Sequence, residues 1–242
     1  MIRGMLIIAA LLSTAAAAAR PVKIVHNSSL LEFTYSWPAE AAAIPALDKR
    51  FRGEMAKAYR EALATAREDR KAYREERRTG MHDYYSMEWK TAGESGRLLS
   101  LQGEFSTFTG GAHPNTSYDA LLWDRMLGRP VATAALFGPK GAFAVLTRAS
   151  YCKGLDAERL KRREGEKLDL PEFNACPNYS DLAIAPVDAN RNGRFDRFAF
   201  VASPYVAGPY AEGQYEIAVP VTAKLLSALR PQYRSSFEAQ RQ

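Results

Sequence analysis

The first part of the chain combines two periods of apolar residues. Between Leu31 and Trp37 every second residue is apolar, as expected for a strand with one buried face. After Pro38, apolar residues recur every three or four positions through 47–66, which predicts a helix with an apolar stripe. We therefore expect a first strand over 31–37, followed by a long helix that packs against a sheet.

The helical pattern becomes charged in its second half. Residues 67–78 carry interspersed acidic and basic side chains, and Thr79 with Gly80 provides a signal for the helix end. A basic docking surface is one interpretation of this segment. The mixture of signs is more typical of a solvated helix end.

The remaining pattern predicts mostly strands. Alternation over 85–90 and 99–105, with turn residues 93–96 between them, indicates a hairpin. Further strands are predicted at 118–123, 182–187, 195–201 and 215–219, and helices at 141–151, 157–164 and 221–229. Because strands and helices do not strictly alternate, we predict an α+β fold of two subdomains, with mainly antiparallel sheets and the long helix packed on the N-terminal sheet.

The N-terminus has the pattern of a secretory signal peptide over residues 1–19. Arg3 precedes an apolar stretch, and Ala17-Ala18-Ala19 offers a small-residue cleavage site. The run is shorter than the roughly 20 residues that span a bilayer, so an uncleaved anchor is the less favoured alternative. The mature chain, with no second apolar run of spanning length, is expected to be periplasmic or secreted.

Export changes the interpretation of the two cysteines. Removing 19 of 242 residues leaves 223, enough for one large or two small domains with a genuine core. Cys152 and Cys176 lie in the exported part, where an oxidising environment favours a disulfide between them. Two buried free thiols are the alternative.

The charge gives a weak indication of partners. The formal net charge is +6, or +5 once Arg3 is removed with the signal peptide. This mild basicity suits anionic partners of the cell envelope, such as wall polymers or lipid headgroups. Nucleic acid is not expected, since no compact basic motif with interleaved aromatic residues is present.

Two loops carry the candidate ligand-binding residues. In the first, Gly110 and Gly111 permit positive φ and close backbone approach, and His113 is restricted by Pro114. This loop, with Tyr118 on the following strand, either contacts a polar ligand such as a glycan or is only a tight strand connection. The second loop spans 204–213, and its candidate residues are Tyr205, Tyr210 and Glu212. Its tyrosines can stack on sugars, although the same composition also suits a structural loop.

A third segment has calcium-loop spacing. Asp188, Asn190, Asn192 and Asp196 place oxygen-bearing side chains at positions 1, 3, 5 and 9, with a glycine at position 6. Position 12 is Ala199, so the usual bidentate glutamate is missing. The alternative is a hairpin connection without metal. No other cofactor is indicated.

Enzymatic signatures are mostly absent. The sequence contains no G-x-S-x-G elbow, H-E-x-x-H motif or P-loop, and its three histidines are far apart. A site assembled in space from scattered Ser, His and Asp residues remains an alternative, because such triads are defined by geometry. No catalytic residue is assigned.

The two loops together resemble those of a known family. Three segments carry the resemblance: residues 110–114, the segment leading to 135–137, and Tyr205 with 208–213. Their order along the chain resembles that in the extracellular region of RsiV anti-sigma factors. The same two-part module is similar to the one that precedes the catalytic domain of PdaC, a peptidoglycan deacetylase. The resemblance covers about residues 29–230.

This resemblance implies a PdaC-like subdomain at 20–113 and an RsiV-like subdomain at 114–242. It also implies recognition at the cell wall, of which the binding of lysozyme by RsiV is one example. The chain has no sigma-binding segment, transmembrane helix or deacetylase domain beyond this module, so those activities are not implied. We therefore expect a non-catalytic periplasmic protein that binds peptidoglycan, a wall-derived glycan or an envelope protein. The alternatives are an inhibitor or sensor of a wall-lytic enzyme such as lysozyme, and a hydrolase or deacetylase with a spatially assembled site.

Overall fold

The computed structural model describes residues 19–75 and 82–240, which form nine strands and four α-helices in two sheets. It confirms the α+β class, the mainly antiparallel pairing, and the long helix packed on the N-terminal sheet. The predicted signal peptide, apart from Ala19, and the predicted helix end at Thr79 and Gly80 lie outside the described residues.

The first sheet has six strands in the order of the chain. Its elements are β1 (Val22–Asn27), β2 (Leu31–Trp37), α1 (Ala39–Ala42), α2 (Pro45–Glu75), β3 (Asp83–Glu94), β4 (Leu98–Phe108), β5 (Asn115–Asp124) and β6 (Arg129–Pro130). All neighbouring strands are antiparallel except β2 and β3. That pair is parallel because α2 carries the chain back across the sheet as a crossover connection.

The prediction that the first strand begins at Leu31 is wrong, because β1 precedes it and pairs with β2. β1 is an edge strand whose residues are partly or fully exposed. A strand without a buried face has no regular alternation of apolar residues, so its pattern could not be recognised.

The apolar stripe of α2 covers one face of this sheet. Leu47 and Phe51 are fully buried, and the ring of Phe51 lies 5.8 Å from that of Trp37 and 5.3 Å from that of Trp89. The indole Nε1 of Trp37 donates to a carboxylate oxygen of Asp48 at 3.0 Å, which satisfies the one polar atom of this buried side chain. The helix and the sheet therefore share one aromatic core.

The second half contains α3 (Ala142–Arg162), β7 (Leu182–Val187), β8 (Arg197–Ala202), β9 (Tyr215–Pro220) and α4 (Ala223–Ala228). The three strands form an antiparallel sheet in the order β7-β8-β9. Phe198 and Phe200 of the central strand are fully buried against α3 residues such as Phe143 and Tyr151.

The prediction of two helices at 141–151 and 157–164 is wrong, since α3 runs through both without interruption. Gly154 falls between the two predicted segments. A Cβ atom there would lie 2.7 Å from Cγ2 of Ile217 on β9. The glycine therefore allows close packing of the helix on the sheet and does not end the helix.

The two sheets contact each other directly. β7 packs against β3, β4 and β5 of the first sheet. On β4, Leu99 belongs to the core under α2, whereas its neighbour Leu98 belongs to the core of the second half. The predicted boundary at 113/114 falls just before β5, a strand of the first sheet, and the division into subdomains stays a prediction. Within the described ranges, no helix is long and apolar enough to cross a membrane.

Gly93, at a β-bulge of β3, lies close to the segment that follows β7. An added Cβ would lie 2.6 Å from the backbone nitrogen of Asp188 and 2.8 Å from its Cβ. We expect Gly93→Ala to lower the free energy of unfolding by about 1–3 kcal/mol, because one of the two backbones must shift. Chemical denaturation measures the change.

Gly53→Ala is the matched control, since an added Cβ in that exposed turn of α2 meets no atom within 4 Å. Alanine is preferred to glycine inside helices, so this variant should be more stable by about 0.5–1 kcal/mol. A Gly93→Ala variant at least as stable as the wild type would contradict the close approach at Gly93.

Candidate functional site

The fold brings the two predicted loops together. The imidazole of His113, in the β4–β5 loop, stacks on the ring of Tyr210, in the β8–β9 loop, with centroids 3.5 Å apart and an interplanar angle of 13°. The hydroxyl of Tyr205 lies 3.3 Å from Nε2 of His113. We call His113, Tyr205 and Tyr210 the aromatic cluster. His113 and Tyr205 are 92 residues apart in the chain, but the three rings form one surface.

The imidazole of His113 is held at both nitrogens. Its Nδ1 lies 2.9 Å from the carbonyl oxygen of Pro114, which can only accept a hydrogen bond. In the neutral ring Nδ1 is therefore the donor, and Nε2 accepts a hydrogen bond from the hydroxyl group of Tyr205. This arrangement orients the ring for stacking.

Tyr205 has an uncommon backbone conformation. Its φ of 70° lies in the left-handed region, where residues other than glycine are rare, and its N–H donates to the carbonyl of Gly208 at 3.0 Å. The side chain is 55% exposed. A strained backbone that holds a large aromatic ring in solvent is a feature of ligand-binding loops.

The glycines of the first loop serve its backbone. Gly110 and Gly111 have φ values of 98° and 103°, which side-chain-bearing residues rarely adopt. Two consecutive residues of this kind let the chain leave β4 and present His113 to the β8–β9 loop. Pro114 is exposed at the start of β5 and contributes its carbonyl to the ring of His113.

Glu212 is turned away from solvent, and its side chain is only 13% exposed. Its carboxylate accepts two hydrogen bonds from Arg163, at 2.8 and 2.9 Å, and a third from the hydroxyl of Tyr215. The hydrogen bonds from Arg163 are the main cause of a pKa below the usual value for a glutamate. Glu212 thus anchors the β8–β9 loop to the end of α3.

Arginines of α3, which sequence reasoning missed, hold the same loop. Arg159 is buried, and its Nε donates to the carbonyl of Ala207 at 2.9 Å while its other nitrogens donate to the carbonyls of Asn174 and Ala175. Arg162 donates to the carbonyls of Glu212 and Gln214. The sequence signal was the predicted charged helix at 157–164, but nothing in it indicated that these cations are partly buried.

The disulfide links α3 to the segment whose carbonyl groups accept hydrogen bonds from Arg159. Cys152 of α3 is bonded to Cys176, as predicted, with a Cα–Cα distance of 5.6 Å. Cys176 follows Ala175, whose carbonyl accepts from Arg159. The covalent bond and the arginine contacts therefore hold the segment after residue 170 against one face of α3.

Tyr118 is bonded through its backbone to the β8–β9 loop, and it lines a polar cleft. Its N–H donates to Oγ of Ser203, two residues before Tyr205, at 3.0 Å. Burial, and then the charges of Glu104 and Glu216, raise the pKa of its phenol. The cleft has a volume of about 210 Å³ and is lined by Tyr118, Glu88, Lys90, Gln102, Glu104, Gln214 and Glu216, among others. Amide, carboxylate and phenol groups therefore continue the predicted ligand-binding surface.

The calcium-like loop uses its side-chain oxygens for its own structure. The carboxylate of Asp188 accepts from the N–H groups of Asn192 and Gly193, and that of Asp196 accepts from the N–H of Ala189 and from Arg197. Asn190 and Asn192 both donate to Glu238, which the spacing motif did not include. In the described part of the chain, no group of three or more His, Cys, Asp and Glu side chains could hold a metal ion. These contacts favour the hairpin alternative, and calcium binding stays a prediction from spacing alone.

His113 does not have the partners that a hydrolytic triad requires. A base of that kind is oriented by a carboxylate on one nitrogen and faces a nucleophile with the other. In the described residues, His113 contacts a backbone carbonyl and the phenol of Tyr205 instead. This geometry suits recognition better than acyl transfer.

The fold places this protein in the α+β class, with two sheets in contact and the two predicted ligand-binding loops next to each other. Residues 24–116 match the family model described as deacetylase PdaC. The chain therefore contains a PdaC-type domain, which covers α2, the first four strands and the Gly110–Pro114 loop. No curated protein matches the chain.

Two solved structures share the fold over most of the chain. A DUF3298 family protein from Pseudomonas aeruginosa has 14% identity and a TM-score of 0.59, covering 92% of this chain and 98% of its own. A DUF3298 family member from Bacteroides fragilis has 17% identity and a TM-score of 0.52, covering 86% and 91%. Both are consistent with the expected PdaC/RsiV-type module.

The ion pair of Glu212 with Arg163 gives a prediction about the loop. We expect Glu212→Gln to lower the free energy of unfolding by about 3 kcal/mol, because the guanidinium, only 6% exposed, loses its counter-charge. Glu158→Gln on the same helix breaks a more exposed pair with Arg162 and should cost less than about 1 kcal/mol.

The pH dependence provides a second check on this pair. The folded-state pKa of Glu212 is lowered, so its stabilisation is complete above the ordinary glutamate pKa of about 4.3 and is lost as the pH falls through the lower folded value. The difference in stability between wild type and Glu212→Gln should therefore shrink below about pH 4. A constant difference down to pH 2 would contradict the assignment.

Proposed function

We propose that this protein is a non-catalytic binding protein of the cell envelope, and that it recognises a wall-derived glycan through the aromatic cluster. The observation that carries the proposal is the stack of His113 on Tyr210, beside the exposed ring of Tyr205. Aromatic faces bind the apolar faces of sugar rings, and the neighbouring cleft offers hydrogen-bonding groups for hydroxyls.

The rigidity of the loop supports this proposal. Arg159, Arg162 and Arg163 bind backbone and side-chain groups on both sides of Tyr210 before any ligand arrives. A loop that is already ordered loses little conformational entropy on binding, which favours affinity from a small contact area.

The location in the envelope is part of the proposal. The disulfide Cys152–Cys176 suits an oxidising compartment outside the cytoplasm, and the N-terminal pattern suits export to it. The match to the deacetylase PdaC model supports the resemblance from which a role at the cell wall was inferred.

A peptidoglycan pull-down at physiological salt tests the proposal. We expect the wild-type protein to be retained, and the double variant His113→Ala, Tyr210→Ala to bind about tenfold or more weakly, because two stacking rings are lost. Affinity for soluble wall fragments, measured by calorimetry, gives the same comparison in solution.

A second pair of neighbouring histidine and tyrosine rings, tilted by 34° to each other, provides the matched control. The rings of His26 and Tyr59, on β1 and α2, lie 4.4 Å apart and belong to neither loop. The variant His26→Ala, Tyr59→Ala should retain wild-type affinity. Equal retention of the wild type and the His113 and Tyr210 variant would refute the proposed surface.

A second candidate is an inhibitor of a wall-lytic enzyme. The specific observation is that Glu104 and Glu216 line the cleft and outnumber its cation, Lys90, which pairs with Glu88 at 3.0 Å, although the chain is basic overall. Such a patch complements a basic enzyme such as lysozyme. If this candidate is right, the protein slows lysozyme in a turbidity assay, and Glu104→Gln with Glu216→Gln relieves the inhibition. No effect of the wild type on turbidity loss would remove this candidate.

A further inference from the structure

A separate pocket lies on the face of the first sheet that α2 covers. It has a volume of about 220 Å³ and lies between the middle of α2, the start of β3 and the end of β4. Ala58 and Ala62 form the helix side, and Tyr85 and Phe105, with ring centroids 5.0 Å apart, form the sheet side. The small helix side chains leave space above two aromatic rings.

Asp83 lines the inner end of this pocket. It pairs in register with Leu31, whose side chain is buried under α2, so both side chains lie on the helix-covered face. Asp83 is only 3% exposed, and its Oδ2 accepts no hydrogen bond from a donor among the described residues. Buried polar atoms without a partner are rare in folded proteins, and a bound ligand is one of the ordinary reasons for them.

The charged groups described around Asp83 are mostly acidic. Asp69 of α2 is a second carboxylate beside it, and Glu61 of the same helix lines the pocket. Burial, then the charge of Asp69 and then a side-chain hydrogen bond between the two carboxyl groups raise the pKa of Asp83 to about 6, and the nearby His82 opposes this rise. Two basic side chains of this region within the described ranges, those of His82 and Arg70, have other partners.

Those partners are groups outside the pocket. Nε2 of His82 lies 2.8 Å from a carboxylate oxygen of Glu32 on β2, and Arg70 of α2 donates to the carbonyl of Ser29. At neutral pH the pocket therefore combines an apolar wall, a buried carboxylate beside that of Asp69, and the further carboxylate of Glu61. This is the combination that recognises an organic cation.

We propose that the pocket between Ala62, Tyr85, Phe105 and Asp83 binds a primary ammonium group attached to an aliphatic carbon. The ammonium donates to Oδ2 of Asp83, Glu61 adds a second negative charge, and the hydrocarbon part contacts the two aromatic rings. Both a lysine-type side chain and an amino sugar carry this group. The site is independent of the aromatic cluster and of the function proposed for it.

The probe for this site is n-butylamine, followed by chemical-shift titration of the full-length protein. At pH 7.5 we expect saturable shifts of residues that line the pocket. At pH 5 the affinity should fall about tenfold, because a carboxyl group with a pKa of about 6 is then mostly protonated. The neutral isostere n-butanol should show no such pH dependence.

Two variants separate binding from folding. Asp83→Asn keeps the shape of the side chain and should weaken n-butylamine binding at pH 7.5 by about tenfold or more, the loss expected for a charge-assisted hydrogen bond. Ala62→Leu fills the space above the rings and should abolish binding. Glu68→Gln removes an exposed carboxylate elsewhere on α2 and serves as the matched control with wild-type affinity.

Either of two results would overturn the site: no saturable binding of n-butylamine, or equal affinities of wild type and Asp83→Asn. The second result would mean that Asp83 and Asp69 share a proton and need no ligand. If n-butylamine binds as expected, the affinities of Nα-acetyl-lysine amide and glucosamine are compared. Tighter binding of the first indicates a peptide source of the ammonium group, and tighter binding of the second indicates an amino-sugar source.

Discussion

The arrangement of the candidate site depends on the contact between the arginines of α3 and the β8–β9 loop. That loop has little regular secondary structure, so its backbone carbonyls need donors from elsewhere in the fold. Arg159 and Arg162 supply them, and Arg163 pairs with Glu212. Because these cations are partly buried and hydrogen-bonded on several sides, the loop has one favoured position, and Tyr210 reaches His113 from that position.

The two sheets contribute different parts of the surface. The PdaC-type domain supplies His113 at the end of its glycine-containing loop, and the second sheet supplies Tyr205 and Tyr210. Gly93 allows the backbone of the second half to approach the first sheet, and Ser203 bonds to the backbone of Tyr118 beside the cluster. The site therefore exists only when both halves are folded and in contact, although the residues of each loop are local in the chain.

Periodicity predicted the elements that bury one face and missed those that do not. The strands from β2 to β5 and from β7 to β9, and the helix α2, were found from alternation or from an apolar stripe. β1 was missed because an edge strand with exposed residues has no such pattern, and α3 was divided at Gly154 because a glycine is an ambiguous signal. Of the candidate residues, the two loops were found from composition, but the anchoring role of Glu212 was not.

Local patterns along the chain were enough to predict the α+β class, the long helix on the N-terminal sheet, the disulfide partners and the two loops that form the aromatic cluster. These follow from local periodicity, from the presence of only two cysteines, and from the backbone freedom of glycine. The folded chain alone shows that His113 stacks on Tyr210, that Glu212 is bonded to Arg163, and that Asp83 is buried beside Asp69. Such contacts join distant segments, and the free energy of each depends on burial and on neighbouring charges, which no local pattern contains.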